Sequence, residues 1–407
     1  MDKRFRYAGK HVHDLTVEGI TVRVWDVRSP DHREAIEATL RPLAKAGFVH
    51  PFVALMPDYH PGEGVLIGSV IPTREVILPS VIGGDLGCGM TALPLPIRGD
   101  SLAAVLPALD AALRASIPVG TADNTVVTPR VRDNRLWQQD FRAPLLPNRQ
   151  RRKLLRQFAS LGGGNHFLEI QQDEGAQVWI MLHSGSRYLG VSVRDYYVAQ
   201  GQQHNGVDPR LYRRIPYLPA TSPLAEDYLH DLQLAVDFAR ESRREMMIRA
   251  LEAFCAVVPE LRGRSAHEFL AEICDVTHNY VARERHFDED LFVHRKGAIH
   301  VSAGELGLVP GSMGTCSYIV EGRGNRFGLD SCSHGAGRAM SRANAARKIS
   351  DQEFLDSVAG VFYQADSRLK DEAPAAYKNI RQVMRAQRDL VRIRHELQPL
   401  LSIKGAC

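Results

Sequence analysis

Apolar and polar residues alternate through Leu15–Val27 (LTVEGITVRVWDV), which predicts a strand hairpin turning at Glu18-Gly19. Residues 33–47 switch to a helical spacing. Residues 52–93 mix short β-branched runs with glycines and prolines, as in VLIGSVIPTREVILP, and predict strands joined by tight loops. An Ala/Leu-rich helix is expected over 102–116 despite Pro107. The apolar run VWIMLH (178–183) reads as a buried strand that ends in histidine. Ser222-Pro223 pairs a capping hydroxyl with proline at a first helical position. It predicts a long helix to about Val258, with room for an interruption. Residues 291–336 return to strands and glycine loops, and 339–358 and 375–398 are expected to be helical, the second rich in arginine.

Composition narrows the classes. The 407 residues are 44% hydrophobic and 24% charged, which excludes a disordered chain and permits a large core. The net charge of +4 is too small to decide on nucleic acid. Its distribution says more, since Arg142–Arg156 holds six basic residues and no acidic one. A counterion-releasing track for a nucleic acid and a solvated strip both fit that run. No apolar run is long enough for a membrane helix, and the charged N-terminus lacks the apolar stretch of a signal peptide. Six scattered cysteines read as thiols in a reducing cytoplasm. Informative glycine motifs run from residue 56 to 337 without a clean linker, so one composite domain is expected.

Several motifs carry chemistry. In GGDLGCGM, Asp85 and Cys88 stand three apart on a pliable loop and can face one metal ion; a tight turn around a buried cysteine is the alternative. LGGGNHFLE offers backbone amides for phosphate together with Asn165, His166 and Glu169, against the plainer reading of a loop leading into a strand. His183 ends a buried strand just before Ser184-Gly185-Ser186-Arg187, and Arg187 supplies a planar fork suited to phosphate. His278 and Pro310–Thr315 say little alone. SCSHGAGR precedes a helical pattern and places His334 at an expected helix N-terminus, as a ligand, a base or a nucleophile. One carboxylate, one thiol and three histidines make a mixed donor set for one or two transition metals. Metal together with phosphate loops suggests phosphoryl or nucleotidyl transfer. No Walker, kinase or GxSxG motif is present.

In this order MPDYHPGEGVLIGSVIPT, GGDLGCGM, GGGNHFLEI, MLHSGSR, HNY, HRKGA, PGSMGT, SCSHGAGR and the terminal IKG resemble the RtcB family of RNA ligases. The resemblance implies an α+β fold: a single composite domain over 1–407 with mixed sheets, glycine-rich active-site loops, flanking helices and a helical insertion at about 222–258. It implies joining of RNA 3′-phosphate or 2′,3′-cyclic phosphate ends to 5′-hydroxyl ends, with GTP and two manganese ions, in RNA repair or tRNA splicing. Asp85, Cys88 and His166 would hold one ion; Cys88, His183 and His278 would hold the other. Asn165, His166, Phe167, Leu168, Glu169, His278, Asn279, Pro310, Gly311, Ser312, Met313, Ser317, Gly335, Ala336, Gly337 and Lys404 would meet the guanine nucleotide. His334 would be the guanylylated nucleophile, and Arg187 and Arg338 would clamp RNA phosphates. A cytoplasmic monomer is expected, with no membrane partner and no accessory protein specified. Tyr59, Glu63 and Tyr188 depart from the family pattern near the RNA ends. The competing reading is a metal-dependent cyclic-phosphate hydrolase that stops before joining.

Overall fold

The structure is a computed structural model describing residues 3–27, 33–144, 148–204 and 215–405. The expected hairpin forms as β1 (Val12–Val17) and β2 (Ile20–Trp25), with Val17 facing Ile20 across the Glu18-Gly19 turn. Helix α1 (Arg33–Ala46) follows and buries Ile36, Leu40 and Leu43. It returns the chain to β3 (Val53–His60), which pairs parallel with β2. A parallel neighbour needs such a crossover, whereas the remaining ladders of the two large sheets are antiparallel. Then come β4 (Ile67–Thr73), β5 (Gly89–Arg98), α2 (Leu106–Ser116), α3 (Asn148–Gln157), β6 (Phe167–Gln172), β7 (Gln177–Ser184) and α4 (Tyr188–His204). Pro107 lies in the first turn of α2, where its missing N–H has no helical partner to lose, so the helix starts there and not at 102.

Helix α5 (Pro223–Val257) runs 35 residues without the interruption the sequence allowed for. Ser222 caps it by accepting from Ala225 N at 3.2 Å. Its buried residues, among them Leu232, Phe238, Met246 and Phe254, pack on the largest hydrophobic cluster. Strands β8 (Cys274–Thr277), β9 (Asn279–His286), β10 (Glu289–Lys296), β11 (Leu306–Val309) and β12 (Ser317–Gly322) follow. Residues 339–358 resolve into two short helices, α6 (Arg342–Lys348) and α7 (Asp351–Ser357), because Ser350 caps the second one separately.

The expected helix over 375–398 is corrected. Only α8 (Ile380–Ala386) is α-helical there, and β13 (Val391–Lys404) begins after a short turn. The segment pairs with β12 on one side and β6 on the other, and Arg392 and Arg394 turn outward to Glu321. The ladder to β12 through Leu397 and the ladder to β6 from Gln398 onward outweigh the helix propensity of its arginines.

One sheet has the order β1-β2-β3-β4-β10-β9 and the other β8-β5-β7-β6-β13-β12-β11. The mixture of largely antiparallel sheets and separate helices is α+β, as expected. Five cysteines among the described residues are free thiols. No helix among them is long and apolar enough to cross a membrane.

Candidate active site at the ends of four strands

Register explains how motifs far apart in sequence meet. In the second sheet Thr277 faces Gly89, Gly89 faces Ser184, and His183 faces both Met90 and Phe167. Cys88 immediately precedes β5, His166 precedes β6, His183 lies near the end of β7, and His278 follows β8. These neighbouring strand ends therefore deliver four donors to one place. His278 is also the single residue between β8 and β9, where the chain passes from one sheet to the other. Its N–H donates to Cys88 O at 2.9 Å.

The five expected ligands converge. Cys88 Sγ lies 3.5 Å from His166 Nε2 and 3.2 Å from His183 Nε2. His166 Nε2 is 3.1 Å from Asp85 Oδ2, and His183 Nε2 is 3.0 Å from His278 Nε2. The far nitrogens fix the tautomers. His166 Nδ1 donates to Leu161 O and His183 Nδ1 to Asn165 O, so both Nε2 atoms present lone pairs. Burial, together with the neighbouring histidines, keeps His183 and His278 well below their usual pKa and so neutral. Burial, then Asp85, pushes the Cys88 thiol up, while His166 draws Asp85 below the usual carboxylate range against its own burial. Lone pairs aimed at one another are what a cation satisfies. Ligands about 2.0–2.3 Å from a shared ion stand roughly 3–3.5 Å apart, close to the spacings here. The donor set fits metal.

Two glycines make the approach possible. A Cβ on Gly185 would run into the Asp85 carboxylate. Gly162 has φ +90°, and a Cβ there would meet both the Arg187 guanidinium and the His166 ring. These two glycines, on separate loops, thus give clearance to side chains.

His334 does not sit at a helix N-terminus, because the next helix begins only at Arg342. It follows the short strand Ser331–Ser333, which pairs with Ala298–His300. Asp58 Oδ2 holds it, accepting from His334 Nδ1 at 2.6 Å and from His334 N at 3.1 Å. A carboxylate only accepts, so the proton sits on Nδ1 and the Nε2 lone pair is free for chemistry. The His334 ring centroid is 4.8 Å from that of His278.

A cleft opens beside this ring. Asn165, Phe167, His183, Pro310, Gly311, His334–Gly337, Arg338 and Lys404 line it, as do His60, Arg342 and Tyr377. Ser312 lines an adjoining groove. The side chains of four other expected contacts lie elsewhere. Leu168 and Met313 are fully buried in hydrophobic clusters. Glu169 bonds Gln171 and Ser402, and Ser317 Oγ supports the turn by accepting from Gly311 N. Asn279 braces the metal loop, its amide donating to Asp85 O and its carbonyl accepting from Gly297 N.

The sequence reading missed Asp58 and Glu372. Asp58 was visible as an acid inside the apolar strand VALMPDYH. Glu372 left no local signal. It gathers Lys404 Nζ at 2.6 Å, Tyr377 OH at 2.7 Å and Arg338 at 3.3 Å, with Arg342 also bound. Burial raises its pKa, but Lys404 and Arg342 outweigh that and hold it down at about 2. Arg338 also donates to Met340 O and Asp371 O, so a phosphate reaches it only by displacing protein partners. Arg187 differs. Its NH2 donates to Gly120 O, while its buried Nε has no partner among the described residues.

Known proteins resemble this chain over nearly its whole length. A family model described as "tRNA-splicing ligase RtcB" matches residues 39–405. "RNA-splicing ligase RtcB" of Escherichia coli K12 is 35% identical, the match covering 96% of this chain and 99% of that one. "RNA-splicing ligase RtcB1" of another Escherichia coli strain is 36% identical with the same coverage. "RNA-splicing ligase RtcB homolog 1" of Entamoeba dispar is 27% identical, over 86% of this chain and 78% of its own. On the family match and the two Escherichia coli relatives together, this chain belongs to the RtcB family.

Proposed function

We propose that this RNA ligase joins RNA 3′-phosphate or 2′,3′-cyclic phosphate ends to 5′-hydroxyl ends in RNA repair or tRNA splicing, using GTP and two manganese ions. It acts as a cytoplasmic monomer through a guanylylated His334. The observation that carries this reading is the placement of His334. A buried histidine with a fixed tautomer opens on a cleft and stands against a converging set of metal donors.

Asp58 holds the Nδ1 proton, which leaves His334 Nε2 to attack the α-phosphorus of GTP while pyrophosphate departs. Asp85, Cys88 and His166 would hold one ion; Cys88, His183 and His278 would hold the other. When bound there, manganese would supply charge neutralisation for the phosphates and Lewis-acid assistance to opening a cyclic phosphate. Lys404, fixed by Glu372 at the floor of the cleft, positions the nucleotide with Asn165, Phe167 and the Pro310-Gly311 turn. A 3′-phosphate oxygen then takes the guanylyl group from His334. The 5′-hydroxyl attacks that activated phosphorus and GMP leaves. Arg187 offers its unpartnered edge to an RNA phosphate.

The test uses RNA labelled in its terminal 3′-phosphate, with GTP and manganese. Retention of the label in a nuclease-resistant junction is expected. Release as free phosphate, or efficient sealing of 5′-phosphate ends, would overturn the reading and favour a hydrolase or another ligase chemistry.

A further inference from the structure

We propose that His60 accepts a hydrogen bond from the 2′-hydroxyl of the nucleotide that carries the 3′-phosphate, and so holds that hydroxyl beside the departing GMP, out of line for attack. This rests on the ligase reading above and gives its RNA 3′ end a specificity-determining contact.

Residues two apart on a strand share a face, and Asp58 and His60 stand so on β3. Asp58 orients two histidines. Its side chain accepts from His334 Nδ1 at 2.6 Å, and its main-chain oxygen accepts from His60 Nδ1 at 2.8 Å. Gly337, at φ +74°, lets the loop after His334 close over that same oxygen, where a Cβ would collide with it. The two rings are nearly parallel, with 12° between their planes and 6.4 Å between their centroids. Each turns its Nδ1 edge to Asp58. Each therefore turns its Nε2 lone pair away from Asp58, into the cleft that both rings line. Burial pushes the His60 imidazole down to about 4, so at neutral pH the ring is uncharged. Its Nε2 has no partner among the described residues.

A lone pair without a proton selects a donor. Phosphate oxygens only accept, so they do not pair with it. The cationic donors of the cleft, Arg338, Arg342 and Lys404, are already gathered on Glu372. His60 is left for a hydroxyl, and the reaction brings three kinds. The 5′-hydroxyl attacks from the side of the phosphorus opposite GMP, and GMP leaves toward His334, so that hydroxyl is not at His60. The ribose hydroxyls of GTP lie across its sugar from the α-phosphorus, toward the base that Lys404 positions. The 2′-hydroxyl of the RNA end sits on the carbon next to the one bearing the phosphate. That phosphate has to reach the guanylyl group on His334, and it carries the 2′-hydroxyl to the neighbouring ring.

The contact decides between two fates of the activated end. The 5′-hydroxyl closes the junction. The 2′-hydroxyl can instead bond to the same phosphorus. The bond from that phosphorus to GMP then breaks, GMP takes its electron pair, and the hydroxyl proton passes to solvent. The end returns to a 2′,3′-cyclic phosphate and the GTP is wasted. Either displacement needs its oxygen across the phosphorus from GMP. His60 stands on the His334 side, toward which GMP leaves, so a hydroxyl bonded to it lies beside the leaving group and not opposite it. A ring with so low a pKa holds the hydroxyl without taking its proton. His60 thus favours a ribose end during activation and reserves the activated phosphorus for the 5′-hydroxyl.

The experiment gives the parent enzyme, His60→Ala and His60→Gln two 3′-phosphate RNAs that differ only by a 2′-deoxy at the terminal sugar, each with GTP or 2′-deoxy-GTP. Transfer of GMP from His334 to the 3′-phosphate is timed in single turnover. It is divided by the same enzyme's rate of His334 labelling, so a general loss of activity cancels. The parent should activate the ribose end about tenfold faster than the deoxy end, the upper range for one neutral hydrogen bond. His60→Ala should bring that ratio to about one. His60→Gln, with an accepting oxygen of similar reach, should recover most of it. With the 5′-hydroxyl strand present, GMP released per junction should rise in His60→Ala on the ribose end and not on the deoxy end, which has no hydroxyl to recyclise. A ratio near one in the parent, a parental ratio in His60→Ala, or a ratio that follows the 2′-hydroxyl of GTP instead would overturn the assignment and leave the ligase reading standing. A parent enzyme that takes no GMP would overturn the ligase reading itself.

Discussion

Replacing Asp58 with alanine isolates the group that aims the proposed nucleophile. In the structure one oxygen, Asp58 Oδ2, accepts both the Nδ1 proton and the backbone N–H of His334, at 2.6 and 3.1 Å. A hydrogen bond to a charged partner contributes about 1.5–3 kcal/mol. At about 1.4 kcal/mol per decade its loss slows attack roughly 10–150-fold. The tautomer adds to this, since without Asp58 a share of His334 carries its proton on Nε2, where it cannot attack. Guanylylation of Asp58→Ala should therefore fall by about 10²-fold at saturating GTP, with KM for GTP little changed. Asp58→Asn keeps an accepting oxygen without the charge and should lose about tenfold. Folding should not follow activity. Asp58 is fully buried and its Oδ1 has no partner among the described residues, so removing the carboxylate also removes an uncompensated polar atom. The assay is single-turnover transfer of labelled GMP beside a urea melt. Parental labelling in Asp58→Ala, or a loss matched by an equal drop in stability, would refute the orienting role.

Cys88→Ser should abolish manganese-dependent stabilisation. The parent's melting temperature is expected to rise with added manganese and the variant's to stay flat, because a buried hydroxyl is a poor bridging donor; an equal rise in both would contradict the shared-thiolate site. Glu372 is held at about 2, down from 4.5, so its contribution is fully present above pH 4.5 and is lost as pH falls from there toward 2. The parent should lose roughly 3 kcal/mol more than Glu372→Gln between pH 6 and pH 2 in denaturant titrations, and parallel curves would remove Glu372 from that role.

Much of the site was legible because its chemistry lies in short glycine-flanked motifs. Asp85, Cys88, His166 and His183 stood out as donors, His278 said little until it was set beside them, and strand register then brought all five together. Partners distant in sequence were not legible. Glu372 meets Lys404 only because β13 ends beside β6, with Lys404 facing Phe167. Asp58 reaches His334 from another sheet. The same distance effect misled the reading of 375–398, where arginines that favour a helix in isolation face outward from a strand that pairs with β12 through Leu397 and with β6 from Gln398 onward. Met313 fell inside a motif read as nucleotide contact, yet its side chain packs with Ala345, Ile349 and Phe354. A turn's backbone can line a cleft while its apolar side chain holds the turn to the core.

The most direct test of the central claim is intact-protein and peptide mass spectrometry after incubation with GTP and manganese. The account predicts one guanylyl group on His334, bound through a P–N bond that acid cleaves, and none on His334→Asn. An adduct on another residue, an acid-stable adduct, or undiminished labelling of His334→Asn would contradict it.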